Sequence, residues 1–122
     1  MNSDRRVRRL VVGDTVWLWA LRHRHPDCRD VLSLHRQGVG GTLRIVFRDG
    51  PGRVVGGGFA AHCGWVALVD GGSLNLHEPG AVRRLLDEVA SRRQLPVSRT
   101  ETELDGWPLL EALTEADGNL RA

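Results

Sequence analysis

Residues 15–22, Thr-Val-Trp-Leu-Trp-Ala-Leu-Arg, decide how the rest of the chain is read. In a strand, successive side chains point to opposite faces. Trp17, Trp19 and Leu21 then share one face, and Val16, Leu18 and Ala20 share the other. Both faces are apolar, which marks a central strand covered at least in part on both sides. Just before it, Gly13-Asp14 forms a two-residue hairpin turn, with glycine able to take positive φ at the first position. The partner strand is RRVRRLVV, residues 5–12.

The same alternation returns downstream. Residues 29–36, RDVLSLHR, read as a third strand, and the glycine-rich turn QGVGG leads to TLRIVFRD at 42–49. There Leu43, Ile45 and Phe47 alternate with Thr42, Arg44, Val46 and Arg48, a half-buried pattern. Residues 50–58, GPGRVVGGG, hold five glycines in nine positions and read as a loop. WVALVD at 65–70 and LNLH at 74–77, joined by GGS, form a second hairpin.

The period then changes. Ala81, Val82, Leu85, Leu86, Val89 and Ala90 recur at helical spacing opposite Arg83, Arg84, Asp87, Glu88 and Ser91. The spacing predicts a helix over 79–93, with Pro79 at its start and Arg92 and Arg93 at the negative end of its dipole. SRTETEL at 98–104 reads as one more strand, and DGWPLLEALTEA at 105–116 as a short final helix capped by Asp105. The expected fold is α+β: a single domain over residues 1–122, frayed at 1–4 and 117–122. A mostly antiparallel sheet of about six strands carries one long helix on one face and a short C-terminal helix.

Bulk composition narrows the function classes. A length of 122 residues suits one domain, and an apolar share of 41% with four tryptophans supports a packed core. All 17 basic residues are arginine, so the basic surface is built from planar forks suited to carboxylates and phosphates. The net charge of +2 is unevenly spread: residues 1–48 carry ten Arg against four Asp, and residues 49–122 carry seven Arg against eleven acids. Either the two halves face and neutralise each other, or a basic face is offered to an anionic partner. The basic start lacks the apolar run of a signal peptide, and no stretch approaches the roughly 18 apolar residues of a membrane span. The expectation is a cytoplasmic protein with no membrane partner, in which Cys28 and Cys63 stay reduced.

The segments RRLVVGDTVWLWALR (8–22), VLSLHR (31–36), LRIVF (43–47) and LNLHEPGAVRRLLDEVASRR (74–93) carry a resemblance. Their succession is similar to that in a group of small, uncharacterised proteins of Streptomyces and related actinobacteria. The resemblance implies an actinobacterial origin and a single domain. It brings no activity or site residue with it.

Candidate chemistry starts with RHRHPDC, residues 22–28. His23 and His25 lie two apart and point the same way in an extended chain. With Cys28, and with Cys63 from AAHCGW, they make a ligand mix suited to zinc. The spacing matches no zinc signature, and the alternative is a polar loop between two strands. A nucleophilic Cys63 would need His35 or His77 as base and Asp30 or Glu78 to orient it, because His62 is its own chain neighbour. The glycine runs lack the strand–loop–helix context of a phosphate cradle. Arg22 and Arg24 end the second strand, and Arg44 and Arg48 line the polar side of the fourth, so a shared basic face for nucleic acid follows if these strands pair in order. Trp17 and Trp19 are stacking platforms or core, with core the commoner fate of such residues. The segment 49–64, carrying Arg53, Phe59 and His62, is the natural contact loop for another protein. Exposed sheet edges would allow a homodimer. The sequence therefore reads first as a small non-enzymatic binding or accessory protein with no resident cofactor. An arginine-rich face for nucleic acid or another polyanion comes second, and a His/Cys zinc site third.

Overall fold

The computed structural model describes residues 7–24, 28–38, 40–56, 64–69 and 71–121. The elements are β1 (Arg8–Val12), β2 (Thr15–Arg24), β3 (Arg29–Arg36), β4 (Thr42–Arg48), β5 (Arg53–Val55), β6 (Trp65–Leu68), β7 (Ser73–Asn75), α1 (Pro79–Ser91), β8 (Glu101–Asp105) and α2 (Trp107–Arg121). The fold is α+β. A five-stranded sheet has the order β1-β2-β3-β4-β8, antiparallel except for the parallel β4–β8 pair, and a three-stranded antiparallel sheet has the order β5-β6-β7.

Register assigns each residue of the large sheet to a face. Trp17, Trp19, Leu21 and His23 of β2 stand opposite Arg36, Leu34, Leu32 and Asp30 of β3. Leu34, Leu32 and Asp30 in turn stand opposite Leu43, Ile45 and Phe47 of β4. This inner face is covered by α1, α2 and the small sheet, and all of them share one continuous apolar core. The outer face carries Leu18, Ala20, Arg22 and Arg24 of β2 and Arg44 and Arg48 of β4.

Several expectations need correction. Among the described residues the strands number eight, in two sheets rather than one of about six. The glycine-rich stretch at 50–58 contains β5, which is too short to show a period between its glycines. β2 is central, as its apolar faces suggest, but Trp17 and Trp19 are buried while Val16, Leu18 and Ala20 on the outer face stay partly exposed. The C-terminal helix is not short: α2 has fifteen residues against thirteen in α1. Trp107, Leu109, Leu110 and Leu113 bury one side of α2, and Asp117 bonds to Arg84 of α1 at 2.8 Å, which carries the helix past the turn-like Asp-Gly-Asn. Ala90, placed on the buried stripe of α1 by its spacing, is exposed. α1 ends at Ser91 because Arg93 turns into the left-handed region at φ +57°. The Arg93 and Gln94 N–H groups then close back on the Ala90 and Val89 carbonyls, a Schellman ending.

The junction of β8 and α2 locks the second half of the chain to β4. Gly106 donates its N–H to the Val46 carbonyl at 2.8 Å, and the next residue, Trp107, meets Phe47 edge-on at 5.1 Å. The Trp107 Nε1–H reaches the Arg48 carbonyl at 2.9 Å, and its backbone N–H is taken by Asp105 Oδ1. A Cβ on Gly106 would stand 2.4 Å from the Phe47 ring. Gly106→Ala therefore forces Phe47 or the junction to move, and it is expected to lower unfolding free energy by about 1–3 kcal/mol. Urea titration of the variant against the native chain reads that loss.

Candidate functional site

Two groups of polar side chains stand out, and both come from the paired ends of β2 and β3. The first lies on the outer face. Arg24 is directly opposite Arg29, and Arg29 is directly opposite Arg48, so three arginines form one cross-strand row. Like charges placed directly opposite are destabilising. The apolar packing on the other side of the sheet fixes the register that makes this row.

The next outward rows are Arg22–Val31–Val46–Asp105 and Ala20–Ser33–Arg44–Glu103. β8 thus brings a column of acids to one side of the face and β2 to β4 bring arginines to the other. Arg44 bonds to Glu101 at 2.6 Å, and Arg48 stands 3.7 Å from Glu103. The hydrogen bond from Arg44 holds the Glu101 carboxyl below the usual carboxylate range and raises the guanidinium above its ordinary value. Both side chains are exposed enough that this pair steers charge more than it stabilises the fold. Among the described residues, Arg22 and Arg24 have no carboxylate within ion-pair distance. A groove of about 690 Å³ runs across this face, with Leu18, Ala20, Val31 and Val46 in its floor and Arg22, Arg24, Arg29 and Arg44 around it.

The structure therefore brings Arg22, Arg24, Arg44 and Arg48 together and adds Arg29, which sequence reasoning missed. The missing signal was register: with Arg24 at the end of β2, the hairpin pairing sets residue 24 opposite residue 29. Arg53 lies elsewhere, over the Trp107 ring at 5.7 Å. Trp17 and Trp19 are 2% exposed, so base stacking on either is excluded. Phe59 and His62 lie outside the described residues.

The second group sits on the inner face at the same hairpin end. The stretch at 22–28 is not wholly a loop, since β2 runs through Arg24 and turns His23 inward toward Asp30. His23 Nδ1 lies 2.6 Å from Asp30 Oδ1, and a carboxylate can only accept, so Nδ1 carries the proton. Asp30 is fully buried, and its other oxygen accepts the Gly64 N–H at 3.1 Å. Gly64 fits there because it has no Cβ: one would stand 2.7 Å from His77 and 2.8 Å from Leu21. His23 Nε2 faces Cys28 Sγ at 3.8 Å, and Cys28 holds a left-handed backbone at φ +44°.

Of the four candidate zinc ligands, His23 and Cys28 are thus adjacent, while His25 and Cys63 lie outside the described residues. Zn–S and Zn–N bonds of about 2.3 and 2.1 Å put two tetrahedral ligands about 3.6 Å apart, near the distance seen. Among the described residues, however, no group of three or more His, Cys, Asp or Glu side chains is placed to hold a metal. Asp30 does orient a histidine, as weighed for the cysteine chemistry, but the histidine is His23 and the thiol beside it is Cys28.

No protein-family model, curated protein or solved structure matches the chain. No helix among the described residues is long and apolar enough to cross a membrane.

Removing the Asp30 carboxylate leaves the His23 and Gly64 donors without their acceptor in a closed site. Asp30→Ala is expected to cost about 2–3 kcal/mol of unfolding free energy. Asp30→Asn, which keeps one acceptor oxygen, should cost less. Denaturant curves for the two variants give the comparison directly.

Proposed function

We propose that this protein is a non-enzymatic, cytoplasmic binding protein that holds an anionic partner, nucleic acid or another polyanion, on the outer face of its five-stranded sheet. The observation that carries the reading is the Arg24–Arg29–Arg48 row. The row sets three arginines on neighbouring strands of one face, where a phosphate or carboxylate can meet more than one of them. Arginine adds forked donors that meet two oxygens of one anion. The groove beside the row offers apolar floor but no exposed aromatic ring, so recognition rests on charge and shape rather than on bases.

A second copy of the chain is the other partner that a particular feature favours. Among the described residues β1 pairs only with β2, and its other edge is unpaired there, with Val7 61% and Val11 54% exposed. Edge-to-edge pairing there would extend the sheet and place two arginine rows on one continuous surface.

Binding to a labelled single-stranded oligonucleotide, followed by fluorescence anisotropy, tests the polyanion reading. If about three phosphates are neutralised, affinity should fall roughly 20-fold between about 50 and 200 mM salt. The double variant Arg24→Ala with Arg48→Ala should weaken binding and flatten the salt slope by about one to two. Arg83→Ala, on α1 and paired with Asp87, should change neither. Binding that ignores salt, or that survives the double variant, defeats the proposal.

A further inference from the structure

The inner-face group performs no task in polyanion binding, and its geometry is that of a served nucleophile. We infer that Cys28 is an activated thiol, with His23 as its proton acceptor and Asp30 as a positioning residue. The site undergoes exchange with small anionic disulfides. This inference is independent of the function proposed for the outer face.

Each part of the arrangement has a role. The proton on Nδ1 is committed to Asp30 at 2.6 Å, which leaves Nε2 as the acceptor that faces Sγ at 3.8 Å. Asp30 cannot turn away, because Gly64 holds its second oxygen and the carboxylate is fully buried. Cys28 is kept in a left-handed conformation that non-glycine residues seldom adopt, and its carbonyl accepts the Asp49 N–H at 3.2 Å. Backbone strain of this kind persists where the surroundings over-determine it, and it tends to occur at sites of chemistry. The thiol is partly exposed, so a small molecule can reach it.

The chemistry of attack selects the electrophile. Attack on a carbonyl builds an oxyanion that needs preorganised N–H donors. The neighbouring Gly64 N–H is already committed to Asp30. Attack on a disulfide builds charge on the leaving sulfur, which needs only an acid. His23 Nε2 takes the Cys28 proton, and the thiolate attacks one sulfur of R–S–S–R. The Sγ–S bond forms as the S–S bond breaks, and the leaving thiolate takes the proton back from Nε2. Cys28–SH and R–S–S–R become Cys28–S–S–R and R–SH, with His23 restored. Arg24 and Arg29 pair across the turn that holds Cys28, so their positive field favours disulfides carrying carboxylates.

The test uses the full chain and glutathione disulfide near neutral pH, with intact mass and peptide mapping to locate the adduct. The native protein should gain one glutathionyl group at Cys28 about ten-fold or more faster than the same chain unfolded in urea. Cys28→Ser should remove that adduct. His23→Asn should remove the acceleration. Asp30→Asn should reduce it without loss of helix signal by circular dichroism. Native exchange no faster than in the unfolded chain overturns the inference and needs no variant to do so. So does an adduct confined to Cys63, or a protein that exchanges only after a chelator strips zinc from it.

Discussion

The register between β2 and β3 is the constraint on which the rest of the molecule depends. Alternation has period two, so slipping either strand by one residue would carry the buried Trp17 and Trp19 to the outer face and bring Arg22 and Arg24 into the core. The cost of that exchange fixes the pairing as it stands. The same pairing then sets two polar groups one residue apart on opposite sides of the sheet. Arg24 and Arg29 form the pair facing outward, and His23 and Asp30 form the pair facing inward. Neither group could exist without the apolar stripe that holds the register, and neither contributes to that stripe.

A chain whose basic residues are all arginine uses them in two ways. Arg8, Arg36 and Arg53 lie over the rings of Trp19, Trp17 and Trp107 at 4.8, 5.9 and 5.7 Å. There the flat guanidinium lies over a ring and closes the edge of the core, which a lysine ammonium would do less well. Arg22, Arg24, Arg29, Arg44 and Arg48 stand on the outer face, which carries the apolar floor of Leu18, Ala20, Val31 and Val46. The first set takes two of the ten arginines of residues 1–48, Arg8 and Arg36, into the edge of the core. The second set is what remains to meet a partner, and it is concentrated on three neighbouring strands.

What could be read from the sequence follows from how local each signal is. β2 to β4 and α1 carry clear periods of 2 and 3.6 over seven residues or more, and they are present where those periods put them. β5 and β7 have three residues each, too few for a period, so the second sheet could not be seen. The parallel partnership of β4 and β8 spans more than fifty residues of chain and depends on α1 crossing the inner face, which no short window reports. For the sites, the residue types were legible and their partners were not. His23 and Cys28 were recognisable as a pair of chemical groups, and Asp30 as an orienting acid. Joining them required β2 to extend through Arg24, against the polar look of RHR. Polar residues at the end of a strand carry no apolar alternation, so the pattern that identifies a strand fades where this site begins.

The two groups at the hairpin end stand on opposite sides of one pairing. Asp30 is a fully buried carboxylate, and burying a charge is costly unless other charges and hydrogen bonds compensate. His23 and Gly64 supply the hydrogen bonds. Behind Asp30, one residue along the same strands and on the other side of a thin, poorly screened sheet, stands the row of Arg24, Arg29 and Arg48. The hairpin end thus presents a buried, hydrogen-bonded acid on one side and a row of arginines on the other, and the register that makes one makes the other.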